Sequence, residues 1–126
     1  MVLLTDSAAL ADAVDAELER QLAGLADVRA TAARASLGPN GGCVLVDSLV
    51  VAVGIANEFA PEHLQVAVAD AVVDEVVDAL VNAGEILIGQ HTPFSAANFV
   101  IGCPASLPTS GFAHVSSGIT ADTFLK

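Results

Sequence analysis

Short aliphatic runs recur along this chain with helix-period or turn-rich segments between them. The runs are Val2-Leu-Leu-Thr5, Cys43-Val-Leu-Val46, Leu64-Gln-Val-Ala-Val68 and Glu85-Ile-Leu-Ile88. Strands that alternate with helices describe an α/β protein, because a helical crossover returns the chain to the same end of the sheet and makes neighbouring strands parallel. The expected architecture is three-layered, a mostly parallel sheet with helices on both faces.

The intervening segments support this reading. After the first run, Asp6 or Ser7 can cap a helix. Leu10, Val14, Leu18 and Leu22 then recur at a spacing of four, with Asp12, Asp15, Glu19 and Arg20 mainly outside the stripe. Residues 26–37 read as helical or irregular, and Gly38-Pro-Asn-Gly-Gly42 as a turn. Leu49 to Ile55 supports either a β-branched strand or a helix capped by Asp47 or Ser48 that runs toward Phe59, with Pro61 marking its end. Asp70 opens a further helix with a core stripe of Val73, Val76, Val77, Leu80 and Val81. Asn82-Ala-Gly84 stops it, with Gly84 read as a left-handed terminator. From residue 90 to 126 the chain is rich in Gly, Pro, Ser and Thr and reads as a loop-rich tail with one or two short helices. At 126 residues a single domain over 1–126 is expected.

Composition excludes several classes of function. The chain is 54% hydrophobic, as a packed globule requires. It has no Trp or Tyr, and its net charge is −11, with Arg20, Arg29, Arg34 and Lys126 as its only basic residues. Nucleic-acid backbones and anionic membrane surfaces are repelled by such a chain. No apolar run reaches the ~18 residues of a membrane span; Val44 to Ala60 is broken by Asp47, Ser48, Asn57 and Glu58. The first six residues lack the basic region of a secretory signal. Cys43 and Cys103 stand apart with no CxxC, and read as reduced, buried thiols of a cytoplasmic protein.

On parallel sheets ligands gather outside the carboxyl ends of the strands, here Thr5-Asp6, Asp47-Ser48, Asp70 and Gly89-Gln-His91. Asp6, Asp47 and Asp70 are expected to cap helices there. His91 and His114 have no metal-ligand spacing and read as loop histidines. Ser110, Ser116 and Ser117 lack a nucleophile elbow, and no GxGxxG or P-loop is present.

Three stretches together resemble the histidinol dehydrogenase family. They are Ala56-Asn-Glu-Phe-Ala-Pro-Glu-His-Leu-Gln65, then Asn82-Ala-Gly-Glu-Ile-Leu-Ile-Gly89 with Thr92-Pro93 behind it, then Leu107-Pro-Thr-Ser-Gly111 continuing through Ser116-Ser-Gly118 to Asp122-Thr-Phe-Leu-Lys126. Order and spacing fit the family from end to end of the chain. The resemblance implies a helix over residues 48–59. It also implies zinc- and NAD-dependent oxidation of histidinol to histidine, with Glu62 and His63 as the acid/base pair. The chemistry suits those residue types, since removing an alcohol proton while hydride leaves needs a base that works near neutrality.

The departures from the family pattern are equally informative. The resemblance places a Gln and a His ligand before this chain's first strand and another His beyond Lys126. A family Asp ligand falls at Asn98, and a substrate-contacting His at Ala105. Zinc needs three or four N, S or O ligands, so no metal site is expected. Solvent-side Glu positions of the family are Val50, Val51 and Gly54 here, which makes Val50 and Val51 an interface candidate. The expected role is therefore a histidinol dehydrogenase-like module that is not catalytic by itself and holds neither NAD nor zinc alone. Its partner would be a second copy in a homodimer, or a chain carrying the missing half of the dehydrogenase. The alternatives are a complementing half of a two-chain enzyme and a small-molecule or protein binding module.

Overall fold

The computed structural model describes residues 1–125 apart from 40, 98, 100, 101, 103 and 105, and apart from the side chain of Ala97. Val2–Thr5 forms β1 and Gly42–Leu45 forms β2, paired in parallel with Val2 opposite Gly42 and Thr5 opposite Leu45. The second strand is displaced by one residue from the run the sequence marks. Val46 falls beyond it, buried, with its N–H donated to Thr5 O at 2.9 Å.

Between these strands lie α1 (Ala8–Ala23) and α2 (Asp27–Leu37). Ser7 rather than Asp6 caps α1, its Oγ accepting the Leu10 N–H at 3.2 Å. The apolar stripe of α1 is graded, from Leu10 at 47% exposure to Leu22 at 7%. The segment left open as helical or irregular is α2. It buries no residue but is tied to α1, because Arg34 donates through both terminal nitrogens to the Glu19 carboxylate at 2.9 Å.

Leu49–Phe59 forms α3. Its β-branched residues do not make it a strand, because Ser48 Oγ accepts the Val51 N–H at 3.4 Å and Ala52, Ala56 and Ala60 fall buried at helical spacing. The capping groups are Ser7 and Ser48, not the aspartates beside them. Two compact units divide inside this helix, Met1–Ala52 and Val53–Lys126.

In the second unit, β3 (His63–Val66) and β4 (Glu85–Ile88) pair in parallel, with His63 opposite Glu85 and Val66 opposite Ile88. The sequence predicts β3 over Leu64–Val68; the strand starts one residue earlier and stops at Val66, so His63 is a strand residue. A 3₁₀ turn over Asp70–Val72 leads into α4 (Val73–Ala79). No side-chain cap comes from Asp70, since the N-cap is Ala69.

The end of α4 corrects the sequence reading. Leu80 is already extended, and Val81 is 72% exposed rather than part of the core stripe. Asn57 supplies the termination, because its Nδ2 donates to Ala79 O at 2.9 Å and its Oδ1 accepts the N–H groups of Val81 and Asn82 at 2.8 and 3.2 Å. Gly84 serves a different purpose. A Cβ there would lie 2.5 Å from Glu62 O, so only glycine lets the start of β4 approach the start of β3. The Gly84 and Glu85 N–H groups donate to Pro61 O and Glu62 O at 2.9 Å.

The tail contains α5 (Phe94–Ala97) and 3₁₀ turns at Phe112–His114 and Ala121–Phe124. The class is α/β, and the described strands pair in parallel as β1–β2 and β3–β4. The buried apolar residues of the first unit include Leu22, Val46 and Ala52, and those of the second include Ala56, Ala60, Val66, Leu87 and Ala113. β2 is exposed along its whole length, and Cys43 with it, so this thiol is not the buried one expected. Cys103 lies outside the described residues. Among the described residues no helix is long and apolar enough to cross a membrane.

Candidate functional site

The turn out of α3 builds the site. Ala60 ends the helix in the left-handed region at φ 49° while only 1% exposed, and Pro61 prevents the helix from resuming. Glu62 follows, and His63 opens β3. The parallel register then sets Glu85 beside His63. His63 Nδ1 lies 3.5 Å from Glu62 Oε1, and His63 Nε2 lies 3.3 Å from Glu85 Oε1. The imidazole thus stands between two carboxylates. The ring of Phe94 meets it edge-on, with centroids 5.7 Å apart and planes at 87°.

Burial differs sharply across this set. The side chains of Glu62 and His63 are 41% and 26% exposed, whereas that of Glu85 is 7% exposed. Neither Glu85 oxygen has an aligned hydrogen-bond partner among the described residues. Among the described residues His63 thus lies against two carboxylates and an aromatic ring.

The cluster sits at the amino ends of β3 and β4, not at the carboxyl ends where the sequence places a ligand site. At the carboxyl ends the polar groups are spent on structure. Gln65 Nε2 donates to Gly89 O at 3.0 Å and Thr92 Oγ1 to Ile88 O at 2.8 Å, while His91 is exposed. His114 is a tail anchor. Its Nε2 faces Glu58 O at 3.1 Å and its Nδ1 faces Asn82 Nδ2 at 3.0 Å, so the neutral ring carries its proton on Nε2 and accepts at Nδ1. That arrangement holds the 3₁₀ turn of the tail against the ends of α3 and α4.

A cleft of about 460 Å³ borders Glu62. Among its lining residues are Glu58, Ala60, Ser110 and Gly111, and the last three all have positive φ, 49°, 54° and 81°. Left-handed backbone at non-glycine residues is strained and concentrates at working sites. Among the described residues no group of three or more His, Cys, Asp or Glu side chains has an arrangement that holds a metal ion. The described donors therefore do not fit a zinc centre. Asn98 and Ala105 lie outside the described residues. Val50 and Val51, the interface candidates, are 77% and 45% exposed in the first turn of α3.

Sequence reasoning names Glu62 and His63; it does not single out Glu85 and Phe94, which the structure sets beside His63, or Asn57 at the end of α4. A signal for Glu85 was present, since a carboxylate inside the aliphatic run Glu85-Ile-Leu-Ile88 has to be accounted for once that run is buried. Nothing in the local pattern brings Asn57 to the end of α4 or Phe94 to His63.

Comparison with known proteins gives a consistent result. The family model described as histidinol dehydrogenase matches residues 1–126. The histidinol dehydrogenase of Thermobifida fusca is 44% identical over 125 residues, covering 99% of this chain and 28% of that protein. That of Synechocystis sp. is 43% identical over the same shares. The crystal structure of histidinol dehydrogenase from Elizabethkingia anophelis superposes with a TM-score of 0.89 at 29% identity, covering 99% of this chain and 28% of that one. The chain thus spans 28% of the length of these relatives.

Proposed function

The chain belongs to the histidinol dehydrogenase family, and on that premise we propose that it is a dehydrogenase module that does not oxidise histidinol alone and that works when joined to the rest of the family's frame. The observation that carries this reading is the proximity of Glu62 and His63, 3.5 Å apart, in a chain that spans 28% of its relatives' length and has no metal-holding cluster among its described residues. In this reading His63 takes the alcohol proton as hydride leaves the carbon, and Glu62 handles the proton of the attacking water in the second oxidation. In the same reading the hydride acceptor, NAD, and the metal centre are held by the remainder of the assembly; among the described residues no group of three or more His, Cys, Asp or Glu side chains could hold a metal ion. The surfaces that join are open β2 and the exposed α3 residues Val50, Val51, Ile55 and Phe59.

The test is NADH formation from histidinol with zinc and excess NAD⁺. The expected outcome is no rate from the isolated, folded chain. A rate appears when a protein carrying the complementary part of the family frame is added, and His63→Ala abolishes it. Chelator-sensitive turnover by the chain alone would overturn the proposal.

A further inference from the structure

Glu85 opens β4 across the ladder from His63, and its side chain is 7% exposed. Neither of its oxygens has an aligned hydrogen-bond partner among the described residues. A carboxylate buried in that state costs stability unless something compensates it. Among the described residues it faces His63 Nε2 at 3.3 Å, a distance that a small rotation of the carboxylate converts into a hydrogen bond from an Nε2–H.

The other ring nitrogen, Nδ1, faces Glu62 at 3.5 Å. A neutral imidazole has one N–H and one lone pair, so it can donate to one of these carboxylates and not to both. The two acceptors are not equivalent. Water reaches Glu62, whose side chain is 41% exposed, but hardly reaches Glu85. The proton is therefore best placed on Nε2, toward the oxygen with no aligned donor among the described residues, which leaves the Nδ1 lone pair beside Glu62. Phe94 stands edge-on to the same ring.

We propose that Glu85 is a positioning residue that holds His63 as the Nε2–H tautomer and so makes Nδ1, the nitrogen facing Glu62, the one that takes up and returns the proton. The tautomer of a working histidine is set in this way by the partner of its other nitrogen. The inference rests on His63 as the proton-handling group, but it concerns the ring itself and can be read without turnover.

The test is long-range ¹H–¹⁵N correlation NMR of the ¹⁵N-labelled chain, with the His63 ring identified by its loss in His63→Ala. The expected result is a protonated Nε2 and a bare Nδ1, with a downfield, slowly exchanging Nε2–H resonance. Glu85→Leu, close in volume and apolar, loses that resonance into exchange with water, and Glu85→Gln, which keeps an acceptor oxygen, restores it. A resonance that persists in Glu85→Leu overturns the proposal. So does a parent ring protonated on Nδ1, a result that needs no variant to fold. Loss of complementation with the ring signal intact sinks the proposed function alone. An unaltered ring in Glu85→Leu, with complementation intact, sinks the positioning role alone.

Discussion

At the scale of single residues, one asparagine takes the part the sequence assigns to a glycine. Asn57 closes the last turn of α4 with three side-chain hydrogen bonds. A further bond joins its own carbonyl to Asn82 Nδ2 at 3.2 Å. Asn57→Ala is expected to destabilise the fold by about 1–3 kcal/mol, since each lost bond is worth about 1 kcal/mol and water replaces part of it. The denaturant midpoint of the variant measures this, and an unchanged midpoint would contradict the capping role. Asn57 was visible in the sequence only as part of the Ala56-Asn-Glu-Phe block. Its partners lie more than twenty residues away, at separations of 22, 24 and 25, and no local pattern encodes them. Glu62 and His63 were legible because their types suit proton transfer and their neighbours form a recognisable string. Glu85 acquires its meaning only from the register of β3 on β4.

At the scale of elements, two glycines separate close approach from open space. Gly84→Ala drives a methyl into Glu62 O, at 2.5 Å, and toward Pro108 Cδ, at 3.2 Å. The expected loss is about 1–3 kcal/mol, the usual cost of forcing atoms into a packed site. The damage falls on the turn that carries Glu62. Gly54, inside α3, would place its Cβ with nothing within 4 Å. Gly54→Ala is expected to stabilise by about 0.5–1 kcal/mol, because alanine loses less freedom in a helix. Thermal melts of the two variants should move in opposite directions, and a shared direction would refute the contrast.

The helices of the first unit carry the charge effects. The Arg20 guanidinium, with help from Gln21, holds the Glu17 carboxyl down at about 2, from an ordinary 4.5. A depressed folded value means that the contribution is present in full above the unfolded value and is lost as the pH falls through about 2. The stability difference between the parent and Glu17→Gln should therefore be small near neutrality, shrink further toward pH 2, and fall with added salt, because the pair is exposed. Melts across pH and salt check this, and a difference that grows in acid would reverse the sign. Helix identity was legible for α1 from its spacing and cap, as was the parallel α/β class, whereas α2, with no side-chain cap, stayed open as helical or irregular. Strand limits slipped by a residue or two because Val46 and Val68 are as β-prone as the strand residues before them, and pairing rather than propensity decides where a ladder stops.

At the scale of the whole molecule, the sequence carried the family through three strings in register, while the structure carries what those strings cannot say. The residues that bury best are mostly small, with three alanines of α3 and its end among them, and many larger apolar side chains stand exposed, including Val50, Phe59, Val81 and Phe112. That distribution, among the described residues, supports the module reading proposed above, and the rate proposed for the combined proteins is tested at this scale. The exposed strand β2 adds a practical handle. Cys43 sits second in it, in ladder with Leu3, and its thiol faces water. In a chain whose other cysteine is replaced by Cys103→Ser, a fluorophore coupled to this sulfur would report on the surroundings of β2, so docking there could be followed as a change in emission, in real time and without altering Glu62 or His63.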